Sequence, residues 1–112
     1  MDPADKLMKD ARTGVLALAV LHVLVNHGAL HGYWLRKILG NLMGWTPPET
    51  SLYDALKRLE KLGLIKGRWV RSGRGPLRKY YEITDAGRET YEVVVKDFSK
   101  MVGWLICRKG RE

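Results

Sequence analysis

The sequence predicts a mainly α-helical protein of the α+β class, with three helices, a two-stranded β-hairpin and a long final helix. Two observations lead to this fold class. Apolar residues recur at helical spacing in four segments that are bounded by capping residues, prolines or glycines. Between the third and the fourth segment, a glycine-rich turn separates a candidate strand from a stretch of alternating apolar and polar residues. A chain of 112 residues is expected to form one compact unit.

The first helix is predicted from Pro3 to about Asn26. Asp2 suits the N-cap position, Pro3 suits the first helical position, and Asp5 places a carboxylate in the first turn. The apolar segment from Val15 to Val25 covers nearly all sides of the helix. This helix is therefore expected to lie at the centre of the core.

The second and third helices should follow after short turns. The second is predicted from Gly32 to Met43, where apolar residues recur at helical spacing. The third is predicted to start in "WTPPE", where Thr46 and Glu49 have capping-box spacing and Pro47 takes the first helical position. It should end near Leu62. One of its faces carries three leucines: Leu52, Leu56 and Leu59.

A β-hairpin is predicted next, with strands at 64–71 and 78–84 and a turn at 72–76. Side chains alternate along a strand, so Lys79, Tyr81 and Ile83 point to one side of the second strand, and Arg78, Tyr80 and Glu82 point to the other. The tyrosines and Ile83 should anchor the base of the hairpin on the domain, which leaves the turn projecting into solvent.

Positive charge is concentrated in this hairpin. The chain has 20 Lys and Arg against 12 Asp and Glu, a net charge of +8. Residues 66–79 contain six Lys or Arg and no acidic residue, so they carry six of the eight net charges. A basic loop on an apolar base indicates a polyanionic partner. The alternative is a charged face that only contacts water.

The final helix carries a different pattern. Thr84 is its predicted N-cap, and Gly87 is an unfavourable residue in its first turn. Apolar residues with heptad spacing then form a seam along two heptads, which predicts a partner helix and hence a homodimer. Packing on the chain's own core is the alternative. The seam comprises Tyr91, Val94, Val95, Phe98, Met101, Val102 and Leu105.

Several classes of protein are disfavoured. Cys107 is the only cysteine, so no disulfide framework or thiolate zinc site is expected, which fits a reducing compartment. His27 and His31 have metal-ligand spacing, but Gly28 between them should break the helix that would align them. There is no nucleotide-binding loop or nucleophile elbow, so we expect no catalysis, metal or cofactor. The longest apolar run is too short to span a bilayer, and a cytoplasmic protein is expected.

This order of elements is typical of a winged helix-turn-helix, in which the third helix enters the DNA major groove and the hairpin, or wing, lies against the neighbouring backbone. The segments "LHGYWLRKIL", "TSLYDALKRLEKLGLI" and "GPLRKYYEITDAGRE" resemble the hallmark segments of the PadR family of bacterial and archaeal transcriptional regulators. The resemblance covers about residues 14–89. The single helix after the wing is similar to that of the smaller PadR subgroup, whose members dimerise through it.

The chain departs from the family pattern at the third helix. Thr50 stands where the family commonly has glycine, and Pro48 stands where it has a Ser or Asn cap. The resemblance implies that Ser51 and Tyr53 lie at the DNA-facing start of this helix. It also implies two sets of DNA-binding residues. The candidates for reading bases are Thr50, Ser51, Asp54 and Lys57, and those for contacting phosphates are Arg74, Arg78 and Lys79.

These features together predict a dimeric, sequence-specific regulator of transcription, a repressor, that binds an inverted-repeat operator in double-stranded DNA. Residues 1–84 would form the DNA-binding domain and residues 85–112 the dimerisation helix. By resemblance, Phe98 and Trp104 are candidates to flank a cavity between subunits for a small aromatic effector. The alternative function is a winged-helix module for protein or RNA contacts without operator specificity.

Overall fold

The computed structural model describes residues 2–107 and confirms the α+β class and the predicted order of four helices and a hairpin. The elements are α1 (Pro3–His27), β1 (Leu30–His31), α2 (Gly32–Met43), α3 (Glu49–Lys61), β2 (Ile65–Arg71), β3 (Leu77–Ile83) and α4 (Asp85–Ile106). None of the helices described between residues 2 and 107 has the length and apolar composition needed to cross a membrane.

Helix α1 is capped as the sequence predicts and lies at the centre of the core. The Asp2 carboxylate accepts a hydrogen bond from the Asp5 amide at 2.9 Å. At the other end, Gly28 adopts a φ of 77° and donates its amide to the Leu24 carbonyl at 3.1 Å. The second half of α1 packs against α2, α3, β3 and α4. Its buried residues are Leu16, Val20, Leu21, Val23 and Leu24.

The start of α3 differs from the prediction. The helix begins at Glu49 with Pro48 in the N-cap position, the place that the PadR resemblance gives it, and Thr46 is not the cap. Pro47 precedes another proline, which disfavours the helical conformation at Pro47, so a helix starting there was the wrong expectation. Thr46 instead packs on α2, where a Cβ at Gly40 would come within 2.7 Å of its hydroxyl oxygen.

The sheet has three strands, whereas the sequence predicted two. The short strand β1 pairs antiparallel with β3, which also pairs with β2, giving the order β1-β3-β2. Leu30 lies opposite Tyr81, and His31 lies opposite Tyr80. Two residues are too few to show alternation, so sequence periodicity could not reveal β1. This strand fixes the start of α2 against the base of the wing.

Helix α4 starts from a junction that joins three elements. The Thr84 hydroxyl accepts a hydrogen bond from the Gly87 amide at 3.0 Å and donates one to the Gly63 carbonyl at 2.7 Å. The Thr84 amide donates to the Leu64 carbonyl at 3.0 Å. Gly87 is the only fully buried residue of α4 within the described range, because the first turn of this helix lies directly on the segment that follows α3.

We predict that Gly87→Ala destabilises the fold by about 1–3 kcal/mol, the usual cost of overpacking. A Cβ at this position would overlap the Leu64 carbonyl oxygen and lie 2.6 Å from Cγ1 of Ile83. The matched control is Gly14→Ala in α1, where a Cβ would meet no atom within 4 Å. The control should be stabilised by up to about 1 kcal/mol, because alanine favours a helix. Chemical denaturation of the two variants checks this, and equal stability would contradict the packing at Gly87.

Candidate nucleic-acid interface

The first half of α3 presents an exposed polar face on the side opposite its buried leucines. Thr50, Asp54 and Lys57 are exposed, and their spacing of four and three residues places them on one side of the helix. Ser51 is half-buried. The structure thus brings together three of the four predicted base-reading residues, and the fourth lies at the margin of the face.

The tip of the wing carries three exposed arginines: Arg71, Arg74 and Arg78. Gly73, with a φ of 60°, supplies the left-handed conformation that the turn requires. Within residues 2–107, none of these three guanidinium groups forms an ion pair. Their charges are therefore available to an anionic partner.

Two further cations of the hairpin are paired within the sheet. Lys66 and Arg68 each lie 3.8 Å from the same carboxylate oxygen of Glu82 on the neighbouring strand. Glu82 comes just after the basic segment in the sequence, and the pairing of the two strands brings its carboxylate beside that segment. The positive charge of the wing is consequently greatest at its tip and weaker at its base.

Lys79 points toward the body of the protein. Its ammonium lies 3.3 Å from a carboxylate oxygen of Glu60 on α3 and 5.4 Å from the ring centroid of Tyr81. Burial, reinforced by the Glu60 carboxylate and by Tyr53, raises the pKa of Tyr81 to about 12, so this phenol stays protonated. Gly67 on β2 leaves space for the lysine stem, which a Cβ there would overlap. Lys79 thus links the wing to α3, whereas the sequence predicted a phosphate contact.

A groove of about 360 Å³ opens between the start of α2, α3 and the wing. We call it the aromatic groove; its lining includes Tyr33, Tyr53, Trp69, Leu77, Arg78 and Lys79. Tyr53 contributes to its wall, because the tyrosine hydroxyl lies against Gly32 at a place that a Cβ would occupy. Tyr53 therefore lines the groove and also borders the polar face, because it lies three residues after Thr50 and four before Lys57 on the same helix.

Sequence reasoning did not select three lining residues of this groove: Tyr33, Trp69 and Leu77. They come from α2, β2 and β3, and only the fold brings them together. A signal was available in the sequence, because Trp69 stands among basic residues in a strand and Tyr33 opens a helix. Exposed aromatic residues beside cations are typical of nucleic-acid binding.

His31 is buried at the back of the groove. Its ring stacks on Tyr33 at 6.2 Å and meets the edge of Tyr80 at 5.3 Å. Burial, followed by the charge of Arg78, lowers the pKa of His31, so the imidazole is neutral at physiological pH. Between residues 2 and 107, no group of three or more His, Cys, Asp or Glu side chains could hold a metal ion.

Helix α4 leaves most of its second half uncovered by the described chain. Tyr91 packs against the core and shares a 2.7 Å hydrogen bond with Nδ1 of His22, whereas Leu105 is 69% exposed. Of the predicted effector residues, Phe98 is half-buried and Trp104 is 81% exposed. The other seam residues are half-buried (Val95, Val102) or exposed (Val94, Met101).

The sequence model of the family described as "Transcriptional regulator PadR-like family" matches residues 20–93. No curated protein matches the chain in sequence. Among solved structures, the chain is similar to a PadR family transcriptional regulator from Eggerthella lenta DSM 2243. The two are 29% identical with a TM-score of 0.80, and the match covers 95% of this chain and 94% of that one.

Two further solved structures are similar. A transcriptional regulator from Clostridium thermocellum is 27% identical with a TM-score of 0.73, over 87% of this chain and 98% of that chain. The PadR protein of Bacillus subtilis, solved in complex with operator DNA, is 28% identical with a TM-score of 0.61. The match covers 85% of this chain and 49% of the Bacillus chain, so the latter has a large additional part.

Proposed function

Because the chain belongs to the PadR-like family of transcriptional regulators, we propose that it acts as a dimeric repressor at an inverted-repeat operator in double-stranded DNA. As a PadR-like regulator it is a DNA-binding protein and not an enzyme. The observation that carries the proposal is the exposed polar face of α3 beside three arginines at the wing tip that form no ion pair within residues 2–107. Repression requires only that the bound dimer occupies the promoter. We expect the protein to act in the cytoplasm.

The proposed division of labour follows from the chemistry of each surface. Lys57 can donate to the acceptors of guanine and Asp54 can accept from cytosine, whereas Thr50 and Ser51 discriminate bases weakly. Arg74 and Arg78 would contact phosphates, which positions the protein without selecting a sequence. Tyr53 would contact the DNA from the aromatic groove. The operator complex of the related Bacillus protein supports DNA binding by this architecture.

The proposed dimer forms through α4. Its exposed apolar side chains lie on one long helix, and α1 adds two exposed residues, Leu7 and Met8. An uncovered apolar surface of this kind marks a protein interface. We therefore propose that residues 1–84 bind DNA and that the helix within 85–112 joins two subunits. Residues 1 and 108–112 of these two units lie outside the described range.

We predict that Arg78→Ala weakens binding to all duplex sequences alike. If Arg78 neutralises one phosphate per subunit, the slope of log affinity against log salt should fall by about 0.9 for each phosphate that the variant no longer neutralises. Lys79→Ala should change this slope less, because the Lys79 ammonium pairs with Glu60. Fluorescence anisotropy with operator and random duplexes over a range of salt measures both. A reduction confined to one base pair, or a larger effect of Lys79→Ala on the slope, would contradict these roles.

For the dimer, we predict that Phe98→Asp and Leu105→Asp give monomers, since each buries an unpaired charge in the seam. Leu105 is exposed in the single chain, so its replacement should leave the fold intact even if Phe98→Asp unfolds it. The matched control is Val93→Asp, because Val93 is also exposed but lies outside the seam. Analytical ultracentrifugation reports the oligomeric state. An unchanged dimer in both seam variants would remove α4 from the interface.

We further propose that a planar aromatic effector binds between the subunits near Phe98 and Trp104 and releases DNA. The observation in favour is the 81% exposure of Trp104, an aromatic side chain on the proposed dimer helix. Titration with planar aromatic compounds should quench tryptophan fluorescence and lower operator affinity, and Trp104→Leu should remove both effects. Quenching without a change in operator affinity would show a pocket that does not regulate DNA binding.

A further inference from the structure

Exposed aromatic rings lie in and next to the aromatic groove beside α3. Tyr33 is 60% exposed and Trp69 is 65% exposed, and both line the aromatic groove. Trp34 extends the row along α2, with its ring centroid 5.5 Å from that of Tyr33. We call Trp34, Tyr33, Tyr53 and Trp69 the aromatic strip. These large side chains contribute little to the core, so their exposure calls for a separate physical reason.

Duplex DNA accounts for only part of this exposure: the hydroxyl of Tyr53 can contact a phosphate, but such a contact does not use the ring faces of Trp34 and Trp69. The bases of a duplex are stacked on one another, and proteins read their edges with polar side chains while cations contact the phosphates. The residues suited to those tasks lie on the exposed face of α3 and at the wing tip. A flat aromatic ring gains most from a base whose own face is free, which occurs in single strands.

Cations accompany the rings along the strip. The Lys37 ammonium lies 5.6 Å from the ring centroid of Tyr33 and 5.5 Å from that of Trp34. At the wing side Arg78 lines the groove, and Lys79 lines it too but is paired with Glu60. Within the described range, no Asp or Glu lines it. The groove is therefore complementary to an anion that also carries flat apolar faces.

We propose that the aromatic strip binds single-stranded nucleic acid, with unstacked bases on Tyr33 and Trp69 and phosphates at Arg78 and Lys37. Aromatic platforms combined with a positively charged groove are the physical means by which proteins hold single strands. The strip continues past the groove onto α2 and has cations near both of its ends, which suits several linked nucleotides. Because Arg78 also belongs to the proposed duplex site, a single strand and the operator should compete.

The test compares oligonucleotides of about 12 nucleotides, a length within the range of single-strand binding sites. The probes are single-stranded DNA, single-stranded RNA and an abasic DNA strand with the same number of phosphates. We expect the strands that carry bases to bind and to quench tryptophan fluorescence, and the abasic strand to bind more weakly. Comparing the affinities of the RNA and DNA strands shows which of the two kinds of single strand the aromatic strip binds.

Variants identify the surface that is responsible. Replacing one stacking ring, in Trp69→Ala or Tyr33→Ala, should weaken single-strand binding by about 5- to 150-fold, the usual effect of removing the ring under one stacked base. Trp69→Phe should retain most of the affinity, because it keeps an aromatic face. Lys57→Ala should weaken binding to the operator and leave single-strand binding unchanged. All of these side chains are exposed, so the variants should fold.

Three results would overturn the proposal: equal affinity for the abasic strand, no effect of Trp69→Ala and Tyr33→Ala, or saturation by a mononucleotide at the affinity of the longer strand. The last result would show a pocket for one nucleotide. Measuring the operator duplex with the same variants keeps this proposal separate from the proposed regulatory function. Failure of duplex binding alone counts against the repressor, and failure of single-strand binding alone counts against the aromatic strip.

Discussion

The junction at Thr84 determines how the functional surfaces are arranged. Its backbone and side chain bind the segment that follows α3, and its hydroxyl also caps α4. One residue therefore ties together the segment after α3, the base of the wing and the start of the proposed dimer helix. Gly87 allows this because it lets α4 approach the Leu64 carbonyl without a Cβ. In a dimer built on α4, the separation of two recognition helices would be set at this point.

Ion pairs determine which cations of the wing remain available to a binding partner. Residues 66–79 contain no acidic residue, yet the fold brings Glu82 to the base of the hairpin and Glu60 to Lys79. Surface ion pairs of this kind are weak individually, but they withdraw cations from the binding face. The remaining positive charge is concentrated at the tip of the wing, and the aromatic groove lies between that tip and α3. Charged and aromatic surfaces are thus adjacent, and Arg78 belongs to both.

Local patterns in the sequence predicted most of the fold, because capping, helical periodicity and glycine turns act over a few residues. Asp2, Thr84 and the bounds of α2 are examples. Features that depend on distant contacts could not be predicted in this way. The ion pair between Lys79 and Glu60 joins residues 19 apart, and the rings that line the aromatic groove come from α2, α3 and all three strands. The start of α3 differs from the prediction for a local reason, since Pro48 disfavours the helical conformation at Pro47.

The contact between Glu60 and Lys79 has a consequence for the rate of target search. Both side chains are about one-third exposed, and partly buried pairs are screened by salt less than exposed ones. Together with the pairing of β3 to β1 and β2, this contact should therefore help to hold the wing in its orientation toward α3 in the free protein, at salt concentrations that weaken contacts with phosphates. A preorganised surface loses little conformational entropy when it docks. The protein could then test successive DNA sites as a rigid body, without refolding its wing at each encounter.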